Sequence, residues 1–320
     1  MLFAFANLVV PACAADKPAA PQRAAAVSGN EQRARSAIRV IGGGWGDARN
    51  EDIETVLNSV ASVLLDNFPG WRLDPIVVTH TDRPPVTLFK RGANNEYRVR
   101  LSVKDRYWAR YAYEFAHELS HILTHYEHHA YPVGTTYNQW FEESLCEVAS
   151  LFALRQLSAV WESSPPYRHW VAYAPNFERY AQHLLSERHR RLPPEVSLAA
   201  WFERNAADLT QTPYLRSHNE IVANVLLPLF EENPQIWEAI GYLNLEADSG
   251  NFRDYLRAWH ANAPDDYKDI IEYITTLFGL AGKNQASRAG ASMPAAAAAI
   301  RTPSPAASPG PTGPVARGAR

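Results

Sequence analysis

The sequence predicts an α+β protein, with a small mixed sheet and two motif-bearing helices in its N-terminal part and a mostly helical C-terminal part. Three observations carry this. Residues 97–104 alternate strictly between apolar and polar side chains, the period-two signature of a strand with one buried face. Trp108, Tyr111, Ala112, Phe115, Leu119, Ile122 and Leu123 recur at steps of three and four, as the stripe of a one-sided helix requires. After Ala153 nearly every segment keeps that helical spacing between Pro or Gly breaks. The 320 residues, 46% hydrophobic and 11% aromatic, are enough for one or two domains with a sizeable core.

From the N-terminus, Leu2 to Val10 is apolar, and Ala12-Cys13-Ala14 offers a small-x-small cleavage pattern before the chain turns polar. Residues 1–14 are therefore expected to be a signal peptide, with export to the periplasm or the medium. Val10-Pro11-Ala12-Cys13 reads alternatively as a degenerate lipoprotein box with a lipid anchor on Cys13, although Pro fits that box badly. The apolar run is too short for a stable membrane span. Residues 15–35 are expected to be flexible, and residues 36–155 an α/β core with strands near 38–41, 76–79, 86–90 and 97–103 and a helix near 52–66. Gly42-Gly43-Gly44-Trp45-Gly46 lacks the Lys-Ser/Thr of a phosphate loop and reads as a flexible connection. The charged strand 97–103 is expected at a sheet edge, where Arg and Lys discourage aggregation.

Residues 156–281 are expected to form a helical subdomain, with helices near 176–187, 196–206, 217–231, 234–244, 250–259 and 266–279. Residues 282–320, rich in Ala, Pro, Gly and Ser, read as a disordered tail with five basic and no acidic residues. Subtracting that +5 from the chain's −3 leaves −8 on the remainder, which argues against nucleic-acid binding. Cleavage after Ala14 leaves Cys146 as the sole cysteine, so no intrachain disulfide is expected, and Cys146 reads as a small buried apolar residue.

The chemistry concentrates at His117-Glu118-Leu119-Ser120-His121, a His-Glu-x-x-His pattern inside the helical stripe. Residues four apart share a helix face, so His117 and His121 can offer two imidazoles to one zinc ion while Glu118 reaches a zinc-bound water as general base. A third ligand decides the site type. Thr124 stands where a metzincin turns its chain on a glycine, so Glu127 is a poor ligand candidate. A second helical run follows over residues 138–154, in which Glu143 and Glu147 are four apart on one face. One carboxylate there can bind zinc and the other can hold a ligand histidine by its second ring nitrogen.

Together these residues resemble the gluzincins, the thermolysin-like zinc peptidases, in which a Glu-x-x-x-Asp/Glu pair follows the His-Glu-x-x-His by about twenty residues. Over residues 96–154 the resemblance implies His117, His121 and Glu143 as zinc ligands, Glu118 as general base and Glu147 as the partner of a ligand histidine. Glu142 is the rival of Glu143, but its own i+4 position is Cys146, which is no orienting carboxylate. The resemblance also implies an oxyanion donor, for which Tyr214 and His218 are the candidates, and a peptide or protein substrate pairing along the strand before the zinc helix. His125, His128, His129, His169, His183, His189 and His260 read as solvent-exposed. The expected activity is that of a zinc metallopeptidase. A non-catalytic zinc-stabilised binding module and an amidase acting on cell-wall peptides are the alternatives.

Overall fold

A computed structural model describes residues 38–127, 138–245 and 250–281. The expectations for residues 1–37, for His128 and His129, and for the tail 282–320 lie outside the described residues.

The N-terminal part is built on a four-stranded mixed sheet in the order β1-β2-β4-β3, with β1 Ile38–Val40, β2 Ile76–His80, β3 Val86–Leu88 and β4 Tyr97–Leu101. Strand β1 pairs parallel with β2 and β2 with β4, while β3 pairs antiparallel with β4. Helix α1, Asn50–Leu65, makes the crossover between β1 and β2. In β4 the alternation works as read: Tyr97, Val99 and Leu101 face inward and Arg98 and Arg100 outward. Its position does not. Strand β4 lies between β2 and β3, and β3 forms the edge, because the chain turns back through Gly92 to Glu96 and sets β3 on the far side of β4.

The glycine segment before α1 is close-packed rather than loose. Gly46 has φ +67°, and a Cβ there would meet the Asp105 side chain, while the neighbouring Trp45 is buried.

Two long helices carry the motif residues, α2 over Trp108–Leu123 and α3 over Gln139–Ser163. They run antiparallel in contact: the Ser150 hydroxyl donates to the Tyr113 carbonyl (2.9 Å), Tyr113 meets Glu147, and His117 meets Glu143. Helix α2 stops at Leu123, the last residue of its apolar stripe. The Thr124 hydroxyl takes the His121 carbonyl (3.0 Å), and His125 turns left-handed at φ 58°. His125 is thus half-buried beside Trp71 rather than exposed on a further helical turn.

The C-terminal part consists of α4 Ala174–Ser186, α5 Leu198–Gln211, α6 Arg216–Glu232, the one-turn α7 Ile236–Ala239, α8 Phe252–Asn262 and α9 Asp265–Leu277. Short 3-10 turns precede α4 and follow it. The buried apolar residues of both parts form one cluster. Its densest aromatic contacts gather at the start of α3, where Trp140 and Phe141 pack against Phe202, Phe252, Trp259 and Phe278. Helices α5 and α8 and the end of α9 therefore hold the turn of α3 that carries Glu142 and Glu143. Among the described residues no helix is long and apolar enough to cross a membrane.

Candidate metal centre

The antiparallel contact of α2 and α3 brings His117, His121 and Glu143 together. His117 Nε2 is 3.1 Å from Glu143 Oε2, and His121 Nε2 is 3.6 Å from Glu143 Oε1. Ligand atoms around a tetrahedral zinc with bonds of about 2.0–2.1 Å are about 3.3 Å apart, and each of these two separations is close to that. The donor chemistry suits it too. Glu143 is held below the ordinary carboxylate range: burial opposes its charge, but the two imidazoles outweigh burial.

Glu118 follows His117 in the chain, lines the same clefts and is 4% exposed. Burial lifts its pKa above the ordinary value, while the two histidines and a hydrogen bond from Thr87 oppose the shift. The Thr87 hydroxyl, on β3, has one proton between two acceptors, the Glu118 carbonyl (2.9 Å) and Oε2 (2.8 Å). An edge strand thereby fixes the direction of the carboxylate. The Tyr126 hydroxyl donates to the Leu88 carbonyl and ties the far end of that strand to the residues after α2.

The carboxylate that orients a histidine is Glu142, and this corrects the role expected of Glu147. His121 Nδ1 lies 2.6 Å from Glu142 Oε1, and Glu142 Oε2 accepts from Asn244 (2.7 Å), whose own carbonyl accepts from Tyr255 (2.6 Å). Glu142 occupies the Nδ1 side of His121, which leaves Nε2, on the Glu143 side, as the nitrogen that would take a metal ion. The reason is helix geometry. Since α2 and α3 are antiparallel and Glu143 faces His117, one turn further along α3 lies one turn further back on α2. Glu147 accordingly faces Tyr113, whose hydroxyl donates to Oε2 (2.5 Å), and Arg190, which donates to Oε1 (2.6 Å). It touches neither histidine.

Cys146 offers a competing donor set, since one ligand atom each from His117, His121 and Cys146 lie within 4.8 Å of one another. Its sulfur, however, approaches the Nδ1 side of His121 (3.5 Å), where Glu142 already binds. Burial pushes its thiol up to about 12. Glu143, by contrast, faces Nε2 of both histidines. Glu127 is bound to Arg91 (3.3 Å), away from the histidines.

Two clefts meet at this site and share Pro85, His117, Glu118, Glu143 and Tyr214. The larger, about 500 Å³, runs toward Arg110, Tyr113, Tyr180 and Arg216. The smaller, about 200 Å³, runs toward Val86, Phe89 and Tyr126. Of the two oxyanion candidates, Tyr214 lines both clefts. His218 lines neither, and its ring packs 5.4 Å from Trp201, because the first turn of α6 points it behind the cleft wall. Arg216, from the same turn, reaches the cleft instead.

Sequence reasoning missed Arg190, Arg216 and Glu220. Arg190 is 1% exposed and binds Glu147 (2.6 Å), Glu187 (2.8 Å) and Glu220 (2.8 Å), and Arg216 binds Glu220 (2.7 Å) and the Tyr113 hydroxyl (2.9 Å). Only Arg216 and Glu220, four apart at the start of a helix, left a signal in the sequence. Comparison with protein-family models, with curated proteins and with solved structures gives no match, so the site is read from its own geometry.

Proposed function

We propose that the protein is a zinc-dependent peptidase in which His117, His121 and Glu143 hold the ion and Glu118 is the general base. The observation that supports this best is the convergence of Nε2 of both histidines on the two oxygens of Glu143 (3.1 and 3.6 Å), with buried Glu118 beside them where two clefts meet. Zinc in such a His2Glu set polarises the attacked carbonyl and makes water acidic enough to be deprotonated near neutral pH.

The protein's own groups perform the proton work. Glu118, its basicity raised by burial and its direction fixed by Thr87, accepts a proton from the attacking water and returns it to the leaving amine. Tyr214, exposed over both clefts, is placed to donate a hydrogen bond to the oxygen that becomes negative as the carbonyl is attacked. The clefts to either side accept an extended substrate running across the ion. A purely structural zinc site has no use for Glu118, and this favours catalysis over a binding module.

The test measures bound zinc and cleavage of a mixed peptide library by the wild type and Glu118→Gln. About one zinc per chain in both proteins is expected, with the variant's kcat lower by roughly 10²–10⁴-fold, the usual worth of a general base. A protein that binds no zinc would sink the reading. Zinc in both proteins with cleavage by neither would replace the peptidase with a binding module or a narrower amidase.

A further inference from the structure

The walls of the larger cleft are charged, and nearly every charge on them is already answered. Glu147 and Glu220 both bind Arg190, Glu220 also binds Arg216, and Glu114 accepts from the Ser102 amide (2.8 Å) and hydroxyl (2.8 Å). Arg216 is fixed by Glu220 and Tyr113. Arg110 is different. It lines the cleft, is exposed, and among the described residues no carboxylate lies within ion-pair distance of it. Tyr180 and Arg216 line the same cleft, and the Tyr180 hydroxyl, pushed up by burial, is pulled back in part by the charges of Arg110 and Arg216.

The position of Arg110 on α2 sets its distance from the chemistry. It precedes His117 by seven residues, two turns on one face, which at 1.5 Å per residue is about 10 Å along the axis. An extended chain covers about 3.3–3.6 Å per residue, so the guanidinium addresses a group two or three residues from the bond at the metal site. The smaller cleft has no Lys or Arg in its lining and presents Val86, Phe89 and Tyr126 instead. The two sides of the site therefore differ in size, and only the larger carries guanidiniums.

We propose that the Arg110–Tyr180 end of the larger cleft is a subsite for a carboxylate of the substrate. The carboxylate belongs either to an acidic side chain or to a free chain terminus, two or three residues from the bond cleaved. The guanidinium supplies paired N–H donors in the geometry that a carboxylate matches, and the Tyr180 hydroxyl supplies a further donor. This rests on the peptidase reading for its register and deepens it by naming a substrate class.

The experiment uses end-blocked peptides built on one cleavable sequence, with Glu, Gln or Lys placed two and three residues from the cleaved bond on either side. A second pair of peptides has a free or an amidated C-terminus. Wild type, Arg110→Gln and Arg110→Glu are compared by kcat/KM. The wild type should prefer Glu over Lys by roughly tenfold at one such position on one side only. Arg110→Gln should flatten that ratio, and Arg110→Glu should reverse it in favour of Lys, a reversal that mere loss of structure would not produce.

A preference seen only with the free terminus would identify the terminal carboxylate as the occupant. Equal ratios in all three proteins would overturn the subsite. If no peptide is cleaved by zinc-loaded wild type, the peptidase reading fails separately, and the anisotropy of the same labelled peptides bound to the three proteins still decides whether Arg110 selects a carboxylate.

Discussion

Two clusters of buried carboxylates lie one helical turn apart on α3, and they are neutralised in opposite ways. Glu147, with Glu220 from α6, is closed by Arg190, a guanidinium 1% exposed that reaches three carboxylates at once. Glu143, with Glu118 from α2, has only imidazoles and the Thr87 hydroxyl as partners, and it opens on the clefts. A buried ionised carboxylate is stabilised by a positive partner, because removing a charge from water costs several kcal/mol per ion. The first cluster carries its cation in the chain. On the proposed reading, the second takes it from solution as a metal ion. One helix thus bears a finished ion-pair network and a binding site side by side, and the difference lies in which turn of the partner helix each glutamate meets.

The sharpest way to break this comparison is Arg190→Met. Two buried carboxylates then lose their guanidinium, and the folded state should lose about 3–5 kcal/mol in denaturant unfolding. Adding Glu147→Gln and Glu220→Gln should recover part of that loss, since neutral amides need no counter-ion. Zinc content should stay near one per chain in every variant that folds. If Arg190→Met alone empties the metal site, the clusters are not independent and the comparison fails.

Glu142→Gln acts on the other side. The amide leaves His121 without the carboxylate that takes its Nδ1 proton, while Asn244 keeps an acceptor. Zinc affinity, measured by competition with a chelator, should fall roughly 10–100-fold, about 1.4–2.7 kcal/mol. An unchanged affinity would mean that the Glu142 contact is incidental.

How much of this was legible in the sequence follows from which signals are local. Strands, helices and the His117, Glu118, His121 and Glu143 set are written in spacings of two, three, four and about twenty residues, and periodicity reads such spacings. The edge position of β3 was not legible, because strand order depends on where the chain turns back and not on alternation within a strand. The exchange of roles between Glu142 and Glu147 was missed for a similar reason. Both lie on α3 at plausible offsets, and only the antiparallel register against α2 decides which one meets a histidine. Arg190 was not legible as part of this network, since apart from Glu187 its partners are 43 residues away at Glu147 and on α6 at Glu220. The tertiary structure recruits it.

The mildest perturbation probes the join between sheet and site. Thr87→Val keeps the shape of the β3 side chain and deletes the hydroxyl that donates to Glu118. Valine suits a strand as well as threonine does, so the backbone has no cause to move. The Glu118 carboxylate and carbonyl lose one donor between them, a cost of about 0.5–1.5 kcal/mol in unfolding free energy. Because Glu118 keeps its position on α2 and loses only its fixed direction, activity should fall far less than in Glu118→Gln, with zinc content unchanged. A loss as large as that of Glu118→Gln would mean that the hydroxyl takes part in the proton transfer itself, and that the edge strand belongs to the catalytic site and not to its support.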